Sequence, residues 1–328
     1  MKTNYLKLFI ALLAISTAIV ISSCNKDNTV SNEMTDEEYV RNVIQNGFNS
    51  GNASEDNLMS QETNDLDKGG AVPDNENGPL SPIDSLKRWG RKILNVNLNF
   101  NITTSGDTLF NVLVTRTITG FYRIIGYHNG GQIDSVQKPY TEVFYRNIAF
   151  KRVARTPYPR LNWRLYQLGC LDGGTTQPQI GSNYVQITKI EVYINNSIMP
   201  TYTFNGPDFQ NVKFTTYQFG GTGIPVVHRN DIVKVKVYTT SQNVDPDYVA
   251  WHWARNTFGF HRQKYELESQ TGSGPYYRVF SKTYNIYSNH LIGFFNGYIS
   301  ASTKESLYDD DPTKFASDMI GIPYWVAQ

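Results

Sequence analysis

From Leu94 to Ile102 apolar and polar positions alternate without a break. Leu94, Val96, Leu98, Phe100 and Ile102 fall on one side and Asn95, Asn97, Asn99 and Asn101 on the other. A period of two over nine residues predicts a half-buried strand. Ser105-Gly106-Asp107 then turns the chain, and Leu109–Ile125 predicts one long strand, kinked near Gly120. Asn129-Gly130-Gly131 turns again, before strands at Thr141–Arg152 and Trp163–Leu171. Ahead of this meander, Pro82–Ile93 (PIDSLKRWGRKI) predicts a short helix. Further upstream, Thr35-Asp36-Glu37-Glu38 is a capping box, with Met34 and Tyr39 placed as a hydrophobic staple. Val40, Val43, Ile44 and Phe48 keep helical spacing behind it, and Gly47 marks the stop. The apolar stripe of that helix needs a cover, and docking on the chain's own first domain is expected to supply it.

Gly173-Gly174-Thr175-Thr176-Gln177-Pro178 has the composition of a linker. Beyond it Ile190, Val192 and Ile194 alternate with Lys189, Glu191 and Tyr193, and Val233, Val235 and Val237 with Lys234 and Lys236. Further strands fit Tyr248–Thr257, Lys264–Thr271, Tyr276–Tyr287 and Leu291–Thr303, and Ile320–Val326 is apolar enough to pack on them. The expected fold is mainly β: a small α+β or β domain (81–173), then an antiparallel β-sandwich with a C-terminal extension (180–328). The second half resembles immunoglobulin-like sandwiches without their paired cysteines. In the first, helix-then-meander order resembles the nuclear-transport-factor-like (cystatin-like) cone, which implies a curved sheet wrapped around a helix. Another α+β fold or a small β-sandwich stays open. The strands carry charges on both sides and lack a lipid-facing band, against a membrane barrel.

Composition fits this picture. Twenty-two Tyr and 17 Phe suit pleated surfaces. Without its first 23 residues the 328-residue chain has room for about two domains. The net charge of +1 hides a segregation. Residues 25–85 hold thirteen acidic against three basic side chains, and residues 86–164 the reverse. Residues 24–80 therefore read as an acidic tether carrying the one amphipathic helix (35–48), with Asn49–Leu80 expected to be mobile. The basic first domain, with clusters at Lys87–Lys92 and Lys151–Arg164, is balanced by that tether or by anionic headgroups. A balanced total argues against nucleic acid.

Leu8–Ile21 is an uncharged run of 14 residues behind Lys2 and Lys7, the layout of a secretory signal and short for a membrane span. Ile21-Ser22-Ser23-Cys24 follows. This resembles the lipobox of bacterial lipoproteins, which implies cleavage after residue 23 and acylation of Cys24. The implied partner is the bilayer, and Asn25 after the cysteine implies the outer membrane. The other thiol, Cys170, lies in an apolar strand end and is expected to be buried.

The search for chemistry is mostly negative. None of the five histidines is followed by Glu, no serine sits in G-x-S-x-G, and no Gly-Lys pair offers a P-loop. Trp251-His252-Trp253 on a strand puts both indoles on one face. Such a pair either fills a sandwich core or forms a platform for a sugar ring. Asp309-Asp310-Asp311, and Asp245 with Asp247, are weak calcium candidates, and His252 with His261 needs a third ligand to hold a metal. No catalytic residue, metal or other cofactor is expected. The function expected is an envelope lipoprotein of non-enzymatic binding or adhesion type, its partner a glycan or another envelope protein. A carbohydrate-binding lipoprotein of a nutrient-uptake system, or an unmarked hydrolase, is the alternative.

Overall fold

A computed structural model describes residues 34–47, 58–59, 83, 85–128, 132–253 and 261–328; of 85, 128, 132–134, 253 and 261 it describes the backbone alone. The expected signal and Cys24 lie outside these residues. The protein is mainly β, with a ten-stranded sheet and a second sheet of five strands, packed in part as a sandwich.

The large sheet begins with a meander of long strands: β1 (Ser85–Ser105), β2 (Leu109–His128), β3 (Gln132–Arg152) and β4 (Trp163–Gln177). It continues through β15 (Ser317–Ala327), β14 (Gly293–Ser302), β10 (Tyr248–Trp253) and β11 (His261–Lys264). Short β7 (Lys213–Thr215) pairs with β4, and β8 (Val226–His228) with β15. This path curls until its ends meet. The Arg262 guanidinium of β11 lies 3.2 Å from the Trp89 ring centre of β1 and donates to the Trp89 carbonyl. From β1, Arg91 reaches Tyr298 of β14 at 3.0 Å.

Inside the curl lies helix α1 (Asp36–Asn46). Thr35 and Glu38 close the capping box from both directions. Val40, Val43 and Ile44 are buried among residues such as Val112, Val114 and Phe144. Asp36 also bonds to Arg152 of β3. The helix thus docks on its own sheet. Part of the expected mobile tether docks too. Leu58 and Met59 are buried, and their carbonyls accept from Arg146 and Asn296. Two apolar side chains and two buried donors offset the cost of ordering them.

The second sheet runs β12 (Glu266–Thr271), β13 (Tyr276–Asn285), β9 (Ile232–Ser241), β5 (Val185–Ile194) and β6 (Tyr202–Asn205). It packs on the outer face of the large sheet, so β14, β15, β10 and β4 form a wall between two cores. Tyr298, Tyr248, Met319 and Leu171 face the curl, while Ile299, Val249, Ile320 and Cys170 face the second sheet.

Two local expectations change. The helix expected at Pro82–Ile93 is a strand from Ser85 onward: β1 starts there, and a bulge between Leu86 and Arg88 lets Leu86 and Trp89 share a face at helical spacing. A further bulge between Ile93 and Asn95 shifts the inward face, leaving Leu94 60% and Val96 41% exposed. The glycines read as a linker belong to β4, which crosses the expected domain boundary and pairs with β3 and β15. A Cβ on Gly173 would overlap the Val143 carbonyl.

If α1 is part of the curl's core, Ile44→Ala should lower the unfolding free energy by about 2–5 kcal/mol in a denaturant titration. An unchanged midpoint would mean the helix adds nothing to the fold.

Candidate functional site

Tyr and Val residues on the inner faces of both sheets leave part of the sandwich unfilled. The result is a cleft of about 280 Å³ between the layers. Aliphatic walls come from Val192, Val233, Val235 and Ile322. Aromatic walls come from Trp251, Tyr324, Tyr284 and Phe204. Gln263, Thr283, Asn285 and His290 supply polar atoms at the lining, and no carboxylate, amine or guanidinium is among the described lining residues.

Each aromatic wall has a local reason for its place. Trp251 lies on β10 one residue from His252, so the indole faces the second sheet and the imidazole the curl. Its six-membered ring lies over Gly297 of β14, where a Cβ would collide with it. The ring of Tyr324 sits 6.0 Å from Trp251 and stacks with Phe295 at 5.5 Å. Burial drives the Tyr324 hydroxyl well above the usual phenol range, so it stays neutral. Tyr202 exchanges hydrogen bonds with the Val226 main chain and pins β6 beside β8. His290 is held at the rim by a contact between its Nδ1 and the Leu291 carbonyl and packs edge-on to Phe295.

The two tryptophans of the sugar-platform reading are placed differently in what the structure describes. Trp251 lines a cleft; Trp253 continues β10, with its side chain outside the described residues. The wall around the cleft was legible only as tyrosine-rich strands. Tyr284 and Tyr324 carry no motif, and it is sheet packing that brings them to Trp251.

The other candidates are otherwise engaged. Asp309 accepts from Lys314 and the Asp311 amide, and Asp311 accepts from the Thr313 amide and hydroxyl. The buried Lys138 ammonium lies among these aspartates and donates to the Glu305 and Lys314 carbonyls at 2.8 Å each. Desolvation pulls it down to about 8. A protein cation thus already occupies the loop. Asp247 pairs with Arg278 at 2.8 Å, both fully buried, and Asp245 lies 3.5 Å from Lys304. His252 Nε2 bonds to Ser300 at 2.8 Å, stacked on Tyr298, and burial holds the imidazole neutral. Among the described residues no group of three or more His, Cys, Asp or Glu is arranged to hold a metal ion. Cys170 is fully buried, its thiol pushed up to about 12 by desolvation.

Sequence reasoning missed a line of charge inside the curl. Lys138, Glu142 and Arg146 occupy every second inward position of β3, between Tyr140, Phe144 and Ile148, and all are buried. Glu142 meets Arg91 at 3.1 Å, and Arg146 reaches Asn296 at 3.0 Å. Their signal was the period-two pattern of Val136–Phe150, where charge falls on the inward phase. A second cavity, of about 460 Å³, is lined by Lys264, Lys282 and Lys304 with Tyr248 and Tyr308. Lys282 pairs there with Glu266 at 2.9 Å. The two cavities differ in character: the walls of the Trp251 cleft are uncharged and aromatic, those of the second carry lysines.

The chain matches no family model, no curated protein and no solved structure. Fold and cleft together define a two-core β protein with an uncharged, aromatic-walled cleft between its layers. Among the described residues no helix is long and apolar enough to cross a membrane.

Asp318 ties the two sheets by accepting from the Ile187 amide at 2.7 Å. Desolvation raises its carboxyl to about 7, and that of nearby Asp172 to about 6. The native state therefore keeps protons that the unfolded chain releases near 4. It binds more protons across that window, so stability should fall as pH rises from about 4 to about 7 and then level off. Asp318→Asn should flatten part of that slope in melting curves taken against pH. A variant with the full wild-type slope would assign it elsewhere.

Proposed function

We propose that this protein is a non-enzymatic binding lipoprotein of the bacterial envelope, anchored through acylated Cys24, with the Trp251 cleft as its ligand seat. The observation carrying this reading is an uncharged cleft walled by Trp251, Tyr324 and Tyr284 between the sandwich layers. Such a wall suits a neutral molecule that lays a ring or a hydrocarbon face on the aromatics. The lipobox-like Ile21-Ser22-Ser23-Cys24 supports the anchor. Acyl chains contribute ~0.8 kcal/mol per buried CH₂, and two or more make attachment stable.

A carbohydrate ligand is the second reading, favoured by the amides of Gln263 and Asn285 beside those rings. Sugars need both parts: a π-face for their CH groups and amides for their hydroxyls.

Two measurements test these statements. In cells fed an alkyne fatty acid, the chain should label and partition into detergent, and Cys24→Ala should do neither. Label retained by Cys24→Ala would remove the anchor. For the cleft, the neutral fluorophore N-phenyl-1-naphthylamine and an array of neutral glycans serve as probes. Trp251→Ala should weaken whichever binds by roughly tenfold or more, the size of a lost aromatic contact. Gln263→Ala should weaken glycans alone. Glycan binding indifferent to both variants would place the ligand elsewhere.

A further inference from the structure

The free edges of the two sheets are not alike. In the second sheet, β6 has four residues, and β12 carries Glu266 and Glu268. At one end of the large sheet, β11 is four residues long and carries Arg262 and Lys264. Short length and charge are the usual defences of an edge against another strand. The other end has neither. Leu94–Ser105 of β1 pairs with β2 along one side from Asn95↔Thr119 to Ser105↔Leu109, and no strand pairs with its other side among the described residues. Over these twelve residues there is no charged side chain and no proline. Asn95, Asn97, Asn99 and Asn101 are all exposed.

We infer that this edge is an interaction surface, and that its partner is the same edge of a second copy of the chain, paired antiparallel about a two-fold axis. The sequence of the edge is self-complementary in that arrangement. Centred on Leu98, beyond the bulge at Leu94, the pairing sets Val96 against Phe100 and Leu98 against itself. It sets Asn95 against Asn101 and Asn97 against Asn99. Opposite residues in an antiparallel pair point to the same face. Asparagine therefore meets asparagine on the outer face, and apolar side chains meet on the face toward the core. A slip of one residue would set every asparagine against an apolar side chain, so the alternation excludes every odd slip. No charge lies within this span, so no like charges face each other. Seven paired residues exchange roughly six to eight main-chain hydrogen bonds. Isologous contacts of this kind close as dimers.

Sedimentation equilibrium of the full chain in density-matched detergent tests this, from about 1 to about 200 µM, since an interface this small is a weak one. A mass of two chains at the high end, dissociating on dilution, is expected. Asn97→Lys with Asn99→Lys places four ammonium groups together and should weaken the dimer by at least tenfold, because opposed like charges cost several kcal/mol. Asn97→Glu with Asn99→Glu should do the same, while an equimolar mixture of the two variants should restore a mixed dimer. Both positions are exposed, so the fold is not at stake. A single-chain mass at every concentration, or a dimer unmoved by the lysines, would overturn the inference. So would variants that stay apart when mixed, or an open series of masses beyond two chains.

Discussion

Strands β14 and β15 are buried on both faces, and the architecture depends on what that demands of them. Each successive side chain must satisfy a different core. Phe295, Ile299 and Ala301 serve the sandwich, while Asn296, Tyr298 and Ser300 serve the curl. A strand of this kind cannot slip by one residue, since a slip would exchange the two sets. The C-terminal strand β15 is also what joins the meander to the later strands. It pairs with β4 on one side and β14 on the other, so the large sheet becomes continuous only once the end of the chain is in place.

The interior of the curl is unusual in holding ionisable groups. Arg91, Lys138, Glu142 and Arg146 are all buried. Taking such groups out of water costs several kcal/mol each unless their hydrogen bonds are replaced. Here Tyr298, Asn296, the Leu58 carbonyl and the carbonyls of Glu305 and Lys314 replace them. The arrangement requires particular partners in particular places. It therefore holds the 58–59 segment and the 304–314 region to one seating on the sheet, and the Leu58 amide in turn bonds to the Ile44 carbonyl of α1. A purely apolar interior would accept several.

The cleft has a different origin. Both of its walls are aromatic-rich sheet faces, and flat rings supported from behind do not collapse into the space between them. Gly297 lets Trp251 lie close on β14, and Phe295 supports Tyr324. The same polar–apolar alternation that fills the cores produces, at Leu94–Ser105, a neutral edge with no neighbouring strand among the described residues. Cleft and edge belong to different parts of the large sheet, so a ligand and a second copy need not compete.

Local pattern alone determined a good deal. The capping box at Thr35–Glu38 set the helix start, because its hydrogen bonds close within one turn. Alternation set the strands of Val233–Val237 and of Trp251–His252, because side chains on a strand must point to opposite faces. The burial of Cys170 followed from its apolar neighbours. What only tertiary structure decided was every question of which face meets what. The bulges at Lys87 and Leu94 turned a helical spacing into a strand and exposed residues that alternation had assigned to a core. Glycines with the composition of a linker became the inside of β4, because Val143 and Ser317 lie too close for a side chain. Lys138, Glu142 and Arg146 are ionisable, which in sequence reads as solvent, yet each is buried against a partner far along the chain: the Lys314 carbonyl is 176 residues from Lys138, Asn296 is 150 from Arg146, and Arg91 of β1 meets Glu142. Period reports that two residues share a face; it carries no record of what the other side of that face will touch.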